Sequence, residues 1–305
     1  MPAFWISIGL LSLAQGAIVA LARVPQAASL SRLRARRWAV IPPLSVAGFV
    51  LIASAAERAT AQGLTYLALC AVPALAAFAL GWLTPGARPA RALLVPALFA
   101  VAWLDRGGLG GQACALALSA LSCVTLGVGL ALVTPPRWLG AGIVAMAVAD
   151  AALVIADLLA RPNSALNAAH PAAGLPRLQS AELGSAVIGY GDLFVAGALG
   201  ALLAIAFGRS EQLRGAIIVA ALAVAFDLLF FFVDELPATV PVALTLIVLA
   251  LARRRRSAPT APAPGPAESA AHRRLSARRL PALPLPPPPP GEHSAGPTRQ
   301  TPAAP

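Results

Sequence analysis

Nine apolar runs follow one another between residues 4 and 252 of a 305-residue chain, leaving little polar sequence from which a water-soluble domain could be built. They cover about 4–22, 38–55, 63–83, 89–104, 111–133, 138–160, 184–207, 215–236 and 237–252. A helix needs roughly 17–25 residues to cross ~30 Å of hydrocarbon, which is the length range of most of these runs. In lipid only helices and closed barrels satisfy their own backbone groups. The expected fold class is therefore an all-α polytopic membrane protein with about nine transmembrane helices. The lipid bilayer is its first expected partner.

Charge orients the runs. All 23 basic residues are arginine and the formal net charge is +11, a balance that in a soluble protein would suggest nucleic acid. Here the arginines sit in the short loops between the runs and in the tail. With the N-terminus outside, 14 of them face the cytoplasm (Arg23, Arg32, Arg34, Arg36, Arg37, Arg88, Arg91, Arg137, Arg209, Arg214 and Arg253 to Arg256). Only Arg58, Arg106, Arg161 and Arg177 fall outside. That is the positive-inside pattern, and it sets the C-terminus in the cytoplasm. The first run ends in Ala20-Leu21-Ala22, which has the small residues of a signal cleavage site. No basic residue precedes it and Arg23 follows it, so an uncleaved first span is expected.

Three regions emerge. Residues 1–137 form a five-span scaffold, residues 138–252 carry the residues of chemical interest, and residues 253–305 form an Arg- and Pro-rich tail. The tail includes a proline run at 286–290 and has too few large apolar residues to build a core, so disorder is expected there.

Four carboxylates interrupt the apolar runs: Asp150 and Asp157 in the sixth, Asp192 in the seventh and Asp227 in the eighth. Each costs at least ~2.5–3.5 kcal/mol near the bilayer centre, which makes intramembrane acids candidates for function. No Lys, Arg or His stands at the same depth to pair with them, so they must share protons or stay neutral. At ~1.5 Å per residue, Asp150 lies roughly 15 Å below the run end at Ala160, and Asp192 roughly 12 Å below the run start at Gly184. Antiparallel neighbours would bring these two level. Asp157 lies only ~4.5 Å deep by the same rise, and its spacing of seven from Asp150 places both on one helix face. Asp157 is the other candidate for the first acid of a pair, and Asp227 a possible auxiliary.

Two close carboxylates hold one proton between them more readily than none, and such a pair can activate a water while hydrogen-bonding a scissile carbonyl. That is a route to amide hydrolysis with no metal or other cofactor. The polar stretch 161–183 is expected to form the mouth of a water path to the pair. Cys70, Cys114 and Cys123 lack metal-ligand spacing and read as buried thiols, and two of the three histidines (His272 and His293, but not His170) lie in the tail.

Gly189-Tyr190-Gly191-Asp192 resembles the Gly-x-Gly-Asp motif of intramembrane aspartyl proteases, the presenilin and signal peptide peptidase family, in a bacterial-type chain. In that family the motif lies on the seventh of nine spans and the first catalytic Asp on the sixth, the positions of Asp192 and Asp150 here. The residue before Asp150 is Ala149 where the family has Tyr. The family's Pro-Ala-Leu motif opens span nine and resembles Pro237-Ala238-Thr239, with Thr in place of Leu; Pro241-Val242-Ala243-Leu244 is a second match. The resemblance covers residues 138–252 and implies a presenilin-like bundle with an Asp150/Asp192 dyad. Gly189, Tyr190, Gly191, Pro237, Ala238, Thr239 and Pro241 would position the substrate. Implied partners are transmembrane or signal-peptide-like peptides, implied location a bacterial plasma membrane, and the orientation is that of signal peptide peptidase. Gly-x-Gly-Asp also occurs in prepilin peptidases, although Phe194 stands where those enzymes usually carry Lys and their four-Cys domain is missing. A proton-coupled carrier is the non-enzyme alternative.

Overall fold

The computed structural model describes residues 2–25, 32–233 and 236–257. In these residues the chain forms α1 (Pro2–Leu21), α2 (Ile41–Ala55), α3 (Glu57–Phe78), α4 (Leu94–Leu104), α5 (Leu109–Val133), α6 (Pro136–Ile155) and α7 (Ala160–Ala168). A two-stranded sheet, β1 (Ser180–Leu183) with β2 (Ala186–Gly189), precedes α8 (Tyr190–Ala206), α9 (Arg209–Asp227) and α10 (Val240–Ser257). Each of the nine apolar runs contains one helix, and α7 is additional. Five helical segments among the described residues are long and apolar enough to cross a membrane: Phe4–Leu21, Arg58–Leu83, Leu109–Val133, Pro136–Ile155 and Arg209–Phe231. This is an α-helical membrane protein. Met1–Arg255 form one compact unit. The expectation of disorder in the tail concerns positions that lie, from residue 258 onward, outside the described residues.

The bundle is organised around α8, which packs against α1, α5, α6 and α9. Leu193 and every residue from Val195 to Leu203 are buried. At 17 residues α8 is shorter than the helices that surround it, and it is apolar on all sides because it faces protein on all sides. Small residues let its neighbours close in. A Cβ at Gly127 of α5 would run into the Gly197 main chain, and one at Gly200 would run into the main chain of Val19 in α1. Such glycine crossings are the usual way helices gain contact where lipid supplies no hydrophobic drive. α1 meets α9 in the same manner, with a Cβ at Gly16 only 2.7 Å from the Ala216 carbonyl oxygen.

Several boundaries differ from the sequence reading, and two of them lie at the ends of the helices that carry Asp150 and Asp192. The seventh run starts at Gly184, yet the helix starts at Tyr190, because residues 186–189 are the second strand of the hairpin. Ser180 pairs with Gly189 and Leu183 with Ala186, leaving the two-residue turn Gly184-Ser185 with Gly184 at φ 61°. A glycine at the first turn position is the II′ hairpin signature, and Val187-Ile188 supply β-branched strand formers. Burial alternates along β2, with Ala186 and Ile188 inside and Val187 and Gly189 outside. The turn docks on the bundle through Gly184 N–H donating to Gln112 Oε1 at 2.7 Å. The stretch 161–183, expected as an open polar loop, instead holds α7, a short 3-10 turn and β1.

The sixth run reaches Ala160, yet α6 stops at Ile155. The stop is a Schellman motif: Leu158 N–H donates to the Leu153 carbonyl and Asp157 N–H to that of Val154, each at 3.0 Å. Asp157 takes the left-handed position after the helix at φ 53°, a conformation that Asp tolerates better than most residues. It therefore does not share a helix face with Asp150, and it is exposed. Gly adopts φ > 0 without penalty. Asp157→Gly is accordingly expected to melt no lower than wild type, with a change of at most about 1 kcal/mol. Any peptide cleavage should stay within roughly twofold, as for surface positions generally. A loss as deep as that of a dyad variant would move the first catalytic Asp from residue 150 to residue 157.

Candidate active site

Asp192 sits in the first turn of α8, three residues after the N-cap Gly189. From that position an acidic side chain can fold back toward the N-cap N–H, as in one half of a capping box. It does so here: the Gly189 main-chain N–H faces the carboxylate. A Cβ placed on Gly189 would stand 2.9 Å from Asp192 Oδ2, so the first glycine of the motif is required by the conformation of the aspartate itself. Gly191 is different. Its missing side chain leaves an exposed surface, and a Cβ there would meet only Met146 Cε at 3.6 Å, an ordinary contact.

Tyr190 anchors the turn on α5. Ser122 Oγ donates to the Ser119 carbonyl at 2.7 Å, which leaves it to accept from the Tyr190 hydroxyl, also at 2.7 Å. The Cys123 thiol points at the Tyr190 carbonyl. Both ends of Tyr190 are thus held by one helix, and the residue that opens α8 is fixed two positions before the acid.

Asp150 lies on α6, near enough to Asp192 for the two carboxyl groups to act on each other. Asp150 is five residues from the end of α6 and Asp192 two residues from the start of α8. By helical rise these are depths of roughly 7.5 Å and 3 Å. The two acids are nearer their helix ends than the run boundaries implied, and level to within about one turn.

The connection into α10 completes the group. Thr239 Oγ1 donates to Asp150 Oδ2 at 2.7 Å, and the Thr239 side chain is buried. The preceding residue is held from α1, where Gln15 Nε2 donates to the Ala238 carbonyl at 3.2 Å. Of the two candidate third motifs, Pro237-Ala238-Thr239 is therefore the one that touches an acid. Pro241 lies in the first turn of α10, where a missing N–H leaves no helical bond unmade, and its carbonyl accepts from Thr245 Oγ1 at 2.9 Å.

Asp227 stands apart. It ends α9 and accepts from Ser12 Oγ of α1 at 2.6 Å, a bond between two helices that α1 also joins through Gly16. Cys123 is buried as expected, but Cys114 is only partly so and Cys70 is exposed on α3. An exposed cysteine on a long apolar helix is a lipid-facing position in a membrane protein, which the reading of all three as buried did not allow for.

An open apolar groove of about 680 Å³ runs along the end of α6 from Ala151, the residue after Asp150, and neither Asp150 nor Asp192 lines it. Ala151 and Val154 of α6 form one wall, Leu229 and Phe232 another, and Pro237 a third, with Asp157 at the rim. Ile155 and Phe232 beside it are 86% and 84% exposed, side chains that need lipid or another apolar chain around them.

No family model matches the chain, and no curated protein or solved structure shows detectable similarity to it. The functional reading accordingly rests on the residues themselves. Gln15, Ser12, Ser122 and Ser119 were not among the candidates read from sequence, which weighed acids, cysteines, histidines and motif residues. Their signal was available: uncharged polar side chains inside apolar runs, which in a membrane bundle generally hydrogen-bond to another helix.

Proposed function

We propose that this chain is an intramembrane aspartyl endopeptidase of the presenilin and signal peptide peptidase type, using Asp150 and Asp192 as its dyad. One observation carries the reading. Asp150 from α6, Asp192 from α8 and Thr239 at the start of α10 converge on one place, although 89 residues separate the first from the last. Under this reading the nine helices that match the apolar runs all cross the bilayer, with the N-terminus outside and the C-terminus in the cytoplasm of a bacterial cell. The dyad then lies toward the outer face.

The chemistry needs only the two carboxyl groups and a water. One carboxylate takes a proton from the water as its oxygen attacks the scissile carbonyl carbon. The other carboxyl gives its proton to the carbonyl oxygen, forming a tetrahedral diol. Collapse breaks the C–N bond: the amine leaves with the proton held by the first acid, and a diol hydroxyl returns its proton to the second carboxylate, which restores the pair. The residues around the dyad suit a peptide substrate. The apolar groove, which opens at Ala151 next to Asp150 in α6, accepts a transmembrane segment. A helical segment must be unwound before its backbone can be attacked, and the hairpin offers it an unpaired strand edge one residue before Tyr190.

Purified wild-type protein in detergent or liposomes is expected to cut single-span peptides, with products identified by mass spectrometry. A panel of such peptides in both orientations that stays intact, while the protein drives proton-coupled solute uptake into vesicles, would overturn the protease and favour a carrier.

A further inference from the structure

We infer that Thr239 is a positioning residue for Asp150, fixing one of its carboxylate oxygens so that the other is presented to the reacting water. This rests on the dyad reading and adds to it a role for the one motif position where the chain departs from the family's leucine.

The geometry is unusual for a threonine in this place. Thr239 immediately precedes α10, where a Thr hydroxyl ordinarily turns inward to cap the N–H of the second or third helical residue. The second helical residue here is Pro241, which has no N–H to offer, so only that of Val242 remains to be capped. The hydroxyl turns instead to another helix and donates to Asp150 Oδ2 at 2.7 Å. Thr239 is 1% exposed, so water does not compete for the bond.

The segment bearing Thr239 is itself held. The Ala238 carbonyl accepts from Gln15 Nε2, and Gln15 is also 1% exposed. The Thr239 carbonyl accepts from Ala243 N–H at 3.1 Å within α10. The donor is thus fixed from α1 on one side and by its own helix on the other. The last torsion of an aspartate is broad and nearly two-fold, so an unheld carboxylate samples many planes. A donor fixed from two directions selects one plane, leaving Oδ1 for the water. Leucine has no hydroxyl and cannot do this.

The test compares Thr239→Val, which keeps the shape and loses the hydroxyl, with Thr239→Ser, which keeps the hydroxyl. Thr239→Val is expected to lower kcat by about 10- to 100-fold with KM within about twofold, the pattern of lost alignment. Thr239→Ser is expected to stay within about threefold of wild type. The infrared carboxyl bands of protein carrying ¹³C-labelled aspartate provide a second readout, with the Asp150 band located by subtracting the Asp150→Asn spectrum. That band should shift in Thr239→Val and not in Thr239→Ser. Should Thr239→Val not be recovered folded, Thr239→Ala makes the same comparison. Wild-type kcat in the Val protein, or an equal fall in Val and Ser, overturns the inference while leaving the protease in place. A wild-type protein that cuts no peptide yet shows the band shift removes the dyad reading and leaves only the contact.

Discussion

Asp192→Asn protein is expected to fold like wild type and to cleave single-span peptides at least about 10³-fold more slowly, with Asp150→Asn falling as far. Asparagine has nearly the shape of aspartate and keeps a carbonyl oxygen, so the Thr239 hydroxyl retains an acceptor in Asp150→Asn. The Gly189 N–H likewise retains one in Asp192→Asn. What each variant removes is the ability to take or give a proton. Two groups that act as one unit give strongly non-additive losses. The double variant should therefore be no slower than the slower single variant, to within roughly threefold. Initial rates with mass-spectrometric identification of the cut measure all three. Wild-type cleavage in Asp192→Asn would end the assignment. Additive losses in the double variant would mean that the acids act separately and not as a pair.

The helices were legible because their signal is long: each apolar run contains one, down to α8 with its all-round burial. Their ends were less so. An apolar run reports where side chains are apolar, not where the backbone stops being helical. The Ala186-Val187-Ile188 strand and the left-handed Asp157 both lie in sequence that passes for continued helix by hydropathy alone. Gly184-Ser185 between two short β-prone stretches is a hairpin signal that local reading could have caught. The Schellman end at Asp157 was harder to see, since it depends on a non-glycine residue adopting φ 53°.

The same errors explain how the Asp150 and Asp192 pairing emerged from imperfect arithmetic. Both runs overshoot their helices by similar lengths, 160 against 155 and 184 against 190, so the two mistakes nearly cancel in the comparison of depth. Asp157, by contrast, was judged by a periodicity that no longer holds past Ile155. Its exposure at the groove rim is a consequence of capping α6. The tie from Thr239 to Asp150 was beyond any local reading, because it depends on how α10 meets α6 across 89 residues.

The two glycines of the motif look alike in sequence, but the structure separates their roles, and a pair of alanine variants can measure the difference. Gly189→Ala puts a Cβ 2.9 Å from Asp192 Oδ2. The clashing atom is the end of a movable side chain, so the fold gives way cheaply and the carboxylate is what moves. The expected result is a protein of near-wild-type stability in which kcat falls about 100-fold, the scale on which a displacement of ~1 Å acts, and KM changes little. Gly191→Ala meets only Met146 Cε at 3.6 Å and leaves Asp192 where it is. Gly191 is exposed beside the acid, so an added methyl there stands in the path of a substrate backbone. Its loss should fall on KM, with kcat within about threefold of wild type. Thermal melts establish that both variants fold, and full kinetic curves on one single-span peptide separate the two effects. An undiminished kcat in Gly189→Ala would show that the carboxylate does not work from the position it holds against Gly189. In that event the Asp192 side chain would have to rotate away from its own helix start before the peptide bond could be attacked.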